Sequence, residues 1–165
     1  MTAYRKFRWS VSANRAGTTE LQVAEFYLRD SGSTIAWPSG TTATDTSAAP
    51  ASPGGEGADK LIDGNTSTKF LNWGSGTTWQ VTFDCQANTE AKGYSFVTGN
   101  DAPERDPIAW TFEGQVDGGS TWDLLDTQSP GAGGITTART TVAGVWDYES
   151  GGGGGSGFRA GYITG

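Results

Sequence analysis

The chain has 165 residues and a formal net charge of −7, with 26 glycines, seven Trp, seven Phe and five Tyr. That length suits one domain with a sizeable core, and large aromatics spaced by Gly, Ser and Thr suit a β-sandwich or barrel better than a helical bundle. With no histidine and one cysteine, His-based acid–base chemistry, most zinc, copper and iron sites and an intrachain disulfide are excluded, while the acidic balance argues against nucleic acid, which needs clustered Lys and Arg.

Arg5, Lys6 and Arg8 near the N-terminus are not followed by an apolar run, and no stretch approaches the length of a membrane span. Neither a signal peptide nor membrane insertion is expected, so the chain is expected to be made in the cytoplasm. Residues 4–13 alternate, with Phe7, Trp9, Val11 and Ala13 on one face and Lys6, Arg8, Ser10 and Ser12 on the other, the period of a half-buried strand. After a turn at 14–17, residues 20–29 read as a central strand with both faces largely apolar. Glu25 is the misfit there, a carboxylate among hydrophobes. It reads either as a rim position or Arg partner, or as a metal ligand.

From 30 to 59 the chain is rich in Gly, Ser, Thr, Ala and Pro and reads as a long connecting loop. Trp37 either pins this loop to the body or presents a stacking platform. Lys60-Leu61-Ile62-Asp63-Gly64-Asn65-Thr66-Ser67-Thr68 follows. On its own Asp-Gly-Asn is a turn. A carboxylate, a turn rich in carbonyls and a hydroxyl five residues after the Asp are also the hard oxygen ligands that calcium takes.

Strands are expected at 79–83 and 94–98, with Cys85 read as a small half-buried residue. Residues 99–107 form a polar loop. Trp110, Phe112, Gly114 and Val116 alternate with polar neighbours, and Asp117-Gly118-Gly119-Ser120 turns this strand into one at 121–125. A weaker β pattern covers 130–145. The segment 150–157 is nearly pure glycine and cannot pack a core. Phe158, Tyr162 and Ile163 then give the end of the chain something to bury, in its own sheet or on a neighbouring subunit by strand addition. The division expected is a β-sandwich over 1–148 and a Gly-rich segment with a docking peptide over 149–165.

Two stretches, 58–70 around Asp63-Gly64-Asn65 and 98–114 followed by Asp117-Gly118 and Trp122, together resemble the discoidin family. These are also called coagulation factor 5/8 type C domains, or family-32-like carbohydrate-binding modules. Phe70 stands where the family signature usually has Trp. Tyr4-Arg5-Lys6-Phe7-Arg8-Trp9 and Val23-Ala24-Glu25-Phe26 resemble the family's closing strands, which here come first, as in a circular permutation. The resemblance implies an all-β, jelly-roll-like antiparallel β-sandwich of galactose-binding-domain type. It also implies a structural calcium site from the carbonyls of Ala24, Lys60, Asn65 and Thr68, the Thr68 hydroxyl and the carboxylates of Asp63 and Glu25.

The function it implies is non-catalytic recognition of a glycan or polysaccharide. Loop residues Trp37, Asn72, Trp73, Asn100, Asp101, Glu104 and Arg105 supply suitable side-chain types, although Arg105 between Asp101 and Asp106 also reads as an ion pair fixing its loop. Short, signal-less discoidin-like chains with this N-terminal segment resemble components of bacteriophage virions. The chain is therefore expected on a virion surface recognising host glycans. The alternative is a structural tail, fibre or capsid-decoration component that contacts other virion subunits, with 158–165 as tether. The carboxylate pairs Asp101/Glu104 and Asp123/Asp126 lie in turn or strand-end contexts, so no enzymatic activity is expected.

Overall fold

Alternation in the N-terminal segment produces the central strand β1 (Tyr4–Asn14), whose Phe7, Trp9 and Val11 are buried. The structure is a computed structural model that describes residues 1–74 and 76–148, so the expected segment 149–165 lies outside the described residues. β1 pairs antiparallel with β7 (Trp79–Thr89) on one side and β9 (Pro107–Gln115) on the other. β10 (Asp123–Gln128) and β5 (Thr42–Asp45) complete a five-stranded sheet in the order β10-β9-β1-β7-β5. The second sheet is β11-β8-β3-β4, from β3 (Glu25–Asp30), β4 (Ser33–Ile35), β8 (Gly93–Val97) and β11 (Val142–Asp147). A two-stranded ribbon joins β2 (Leu21–Val23) to β6 (Phe70–Asn72). The described chain is all-β and antiparallel, a sandwich of two sheets with three short 3₁₀ turns and no α-helix among the described residues.

Aromatic rings fill the space between the sheets. Phe26 of the four-stranded sheet lies 5.0 Å from Phe83 and 5.3 Å from Trp9, and Tyr94 lies 4.4 Å from Phe112. Such pairs add specific geometry to a large apolar burial. The Tyr94 hydroxyl accepts from Trp110 Nε1 and donates to Asp126 Oδ2, each at 2.7 Å, which satisfies polar tips inside the core. Gly114 is needed on β9 because a Cβ there would lie 2.6 Å from the Tyr4 ring. Cys85 is fully buried, and burial pushes its thiol up to about 11.

Two expectations from the sequence are corrected. The single strand expected at 20–29 is two strands in different sheets, broken at Ala24. Leu21, Gln22 and Val23 are all buried because β2 is covered on both sides, which erases the alternation that would have shown the break. The long loop expected at 30–59 contains β4 and β5. Both are short edge strands built from small polar residues and lack an apolar period to betray them.

Candidate functional site

The ribbon of β2 and β6 places the start of β3 directly against the turn that precedes β6. Glu25, the first residue of β3, is only 1% exposed. Its Oε1 accepts the Asn65 N–H at 2.8 Å, and Asp63 Oδ1 accepts the same N–H at 2.9 Å. Two carboxylates from positions 38 residues apart therefore converge on one amide. The Thr68 hydroxyl lies 2.8 Å from both Asp63 Oδ2 and the Asn65 carbonyl, and the Thr68 N–H donates to that carbonyl at 3.0 Å. Gly64, at φ +74°, supplies the left-handed residue that lets the turn close.

The electrostatics of this pair are unbalanced. Burial raises the Glu25 carboxyl from 4.5 to about 7, assisted by the adjoining Asp63, while the Asn65 N–H pulls it back. Burial also pushes Asp63 upward, but bonding with Glu25, Thr68 and Asn65 carries it below the usual carboxylate value. One proton shared with Glu25 as its holder is the physical meaning of that split. Among the described residues no salt bridge reaches Glu25; Lys60 Nζ sits 3.6 Å from Asp63 Oδ2 and 2.9 Å from Asp59 Oδ2.

No group of three or more His, Cys, Asp or Glu side chains converges among the described residues. The acidic part of the donor set is thus two carboxylates, and the rest is carbonyl and hydroxyl oxygen. That set fits a hard cation of the calcium type, which takes oxygen ligands in flexible geometry. It suits neither zinc nor copper, for which nitrogen or sulfur is wanted. Ala24, the residue before Glu25, has its N–H bonded to the Val97 carbonyl at 2.9 Å.

The residues expected to touch a ligand fall into separate settings. Asn100 and Asp101 lie beside the Asp63 loop: Asn100 Nδ2 donates to the Ser67 carbonyl at 3.3 Å, and Lys69 Nζ lies 2.6 Å from Asp101 Oδ1. Burial raises the Asp101 carboxyl, but the Lys69 ammonium brings it below its ordinary value. Glu104 is exposed, and its carbonyl accepts the Ala16 N–H at 3.0 Å. Arg105 pairs with Glu20, neither with Asp101 nor with Asp106. Asp106 is instead fully buried and takes Arg139 Nη1 at 2.9 Å, with Arg15 Nη2 at 3.6 Å.

Trp73 stands at the far end of β6 from Lys69 and is 53% exposed. Two other candidates are turned inward. Asn72 is 1% exposed, donating to Asp45 Oδ2 and accepting the Gly74 N–H, both at 2.7 Å. It braces the crossing between β6 and β5. Trp37 stacks on Phe83 at 5.0 Å, and its Nε1 donates to the Phe26 carbonyl at 3.0 Å. Of its two readings the fold takes the anchor.

Lys69, Arg139 and Arg15 hold these loops and were not singled out by sequence. Lys69 carried a faint signal, being the cation directly after the Asp63 loop. Nothing local to residue 139 announces a partner 33 positions earlier.

No family model matches the chain, and no solved structure matches it. Over 36 residues, 22% of the chain, it is 58% identical to a peptide-N(4)-(N-acetyl-beta-glucosaminyl)asparagine amidase of Arabidopsis thaliana; the chain spans about 5% of that protein's length.

Proposed function

We propose that the protein is a non-catalytic carbohydrate-binding module of jelly-roll, galactose-binding-like type, carried on a virion surface, with one calcium ion tying the Asp63 loop to β3. The observation that carries this reading is the meeting of Glu25 with Asp63 on the Asn65 amide. Those two side chains are the pair that the discoidin resemblance assigns to one structural ion. The half-exposed Trp73 indole offers a flat apolar face of the kind a pyranose ring stacks on, and the exposed Asn100 and Glu104 offer polar groups for hydroxyls. Asp101, held ionised by Lys69, is not a proton donor to a glycosidic oxygen, and Asp126 is engaged by Tyr94 and Gln128. Likeness over 36 residues covers too little to bring the amidase's activity to this chain. The test is a glycan array probed with the full chain beside Trp73→Ala. Saturable binding weakened tenfold or more by the substitution is expected, and an array without saturable signal for the parent chain overturns the reading.

One observation favours an assembly role as a second reading. Among the described residues β11 is an edge strand carrying Val142 and Val145 at 50% and 44% exposure, and an apolar edge invites another chain. Sedimentation showing a stable oligomer that Val145→Lys dissociates is the expected result, and a monomer at all concentrations removes it.

A further inference from the structure

The outward face of the five-stranded sheet changes character halfway along β1. Toward one end it is charged and internally paired: Arg8 binds Glu113 through two bonds of 2.7 and 2.8 Å, and Arg5 binds Asp84 at 2.8 Å. One outward step further, at Ser10, the charges stop. In register across the sheet, Thr127 faces Thr111, Thr111 faces Ser10, and Ser10 faces Gln80. Thr46 extends the row beyond β7 through its N–H to the Gln80 carbonyl at 2.8 Å. The row spans four inter-strand gaps, roughly 19 Å at about 4.8 Å each.

A shallow, open depression of about 510 Å³ lies over this row. Ten of its fourteen lining residues carry a neutral hydroxyl or amide, and none is charged. No side chain here offers a counter-charge to a phosphate, carboxylate or ammonium. The apolar remainder includes Val11, Trp79 and Trp110, core residues that form the floor beneath the row and are nearly covered. Gln80 is held in place by Ser10 Oγ and Thr46 Oγ1, each at 3.1 Å, and has capacity for further bonds. An uncharged surface dense in two-way hydrogen-bonding groups matches a ligand that is itself neutral and rich in hydroxyls.

We infer that this depression is a second sugar-binding surface, taking an extended neutral oligosaccharide laid across the strands, separate from the Trp73 and Asn100 loops. It rests on the reading of the protein as a glycan-binding module and adds a ligand class to it. The test is an NMR titration of the ¹⁵N-labelled full chain with cello-, laminari-, manno- and malto-hexaose, and separately with hyaluronan and alginate oligosaccharides. The expected result is that a neutral oligomer shifts the amides of Ser10, Gln80, Thr111 and Thr127. Gln80→Ala and Thr111→Arg should each weaken that binding at least tenfold, while Trp73→Ala leaves it within twofold. Gln80→Ala keeps the test usable should an arginine on β9 disturb folding. Shifts confined to Trp73, Asn100 and their neighbours, or binding of acidic oligomers alone, overturn the sheet-face site and leave the glycan-binding reading standing. No shift with any of these sugars overturns the sheet-face site, and an array likewise without signal ends the broader reading with it.

Discussion

The Asp63 loop and the 99–106 loop lie side by side, and each closes over one buried carboxylate, Glu25 and Asp106. Asp106 is fully buried, and burial raises it against the pull of Arg139 and Arg15. Among the described residues no cation pairs with Glu25, and it rises to about 7. Burying a charge is costly unless it is paired. At Asp106 the chain supplies the counter-charge from distant strands and loops. At Glu25 it supplies a second carboxylate. The Glu25 site is therefore incomplete in its own terms, requiring either a proton or an external cation.

The largest effect is expected where the compensation is internal. Arg139→Ala removes the side chain that bonds Asp106 through two nitrogens and also bonds the Asp101 carbonyl. Breaking a buried pair typically destabilises by about 3 kcal/mol or more. Chemical denaturation should show that loss, with Asp106→Asn/Arg139→Ala together costing less than the sum of the two. A loss below about 1 kcal/mol, the range of exposed pairs, would erase the contrast between the two loops.

At Glu25 the expected effect is set by pH and by calcium. The folded carboxyl titrates near 7 and the ordinary value is 4.5, so between these values the folded state binds more protons than the unfolded one. The Glu25 contribution to metal-free stability is then full below pH 4.5 and is lost as pH rises through 7, by about 3 kcal/mol in total for a shift of this size. Denaturation in EDTA at pH 5 and pH 8 measures it, and Glu25→Gln should flatten the difference. Calcium at about 100 times its dissociation constant should return about 2.7 kcal/mol at pH 8, and Asp63→Asn should abolish that gain. A metal-free chain equally stable at both pH values would show that Glu25 is compensated after all.

These two sites were unequally legible in the sequence. β1 and β9 announced themselves through strict alternation, and the hairpin from β9 to β10 through its Asp-Gly-Gly turn. Glu25 stood out because a carboxylate inside an apolar strand breaks a pattern. Asp106 broke none, since it lies in a polar loop beside Arg105, and adjacency suggested a pairing that the fold does not make. Arg105 goes to Glu20, and the true partner of Asp106 approaches from the segment before β11. Local pattern reveals a residue at odds with its neighbours, whereas long-range pairing depends on sheet order that a single sequence does not display. The break at Ala24 was hidden for a related reason, because burial on both sides looks the same whether one sheet or two provides it.

The smallest effect tests which loop the link between them resembles. Lys69 Nζ, nearly covered, meets Asp101 Oδ1 at 2.6 Å, while the Asp101 side chain is more than half exposed. Asp101→Asn keeps an oxygen for the ammonium and removes only the charge. With one partner facing water, the Coulomb part should be worth about 0.5–1 kcal/mol and shrink as salt is added. Denaturation at low and high ionic strength measures it. A salt-independent loss above about 2 kcal/mol would class Lys69 with Asp106, as a buried charge that needs a fully charged partner. The two loops would then be one electrostatic unit, and calcium at Asp63 would be felt at Arg139.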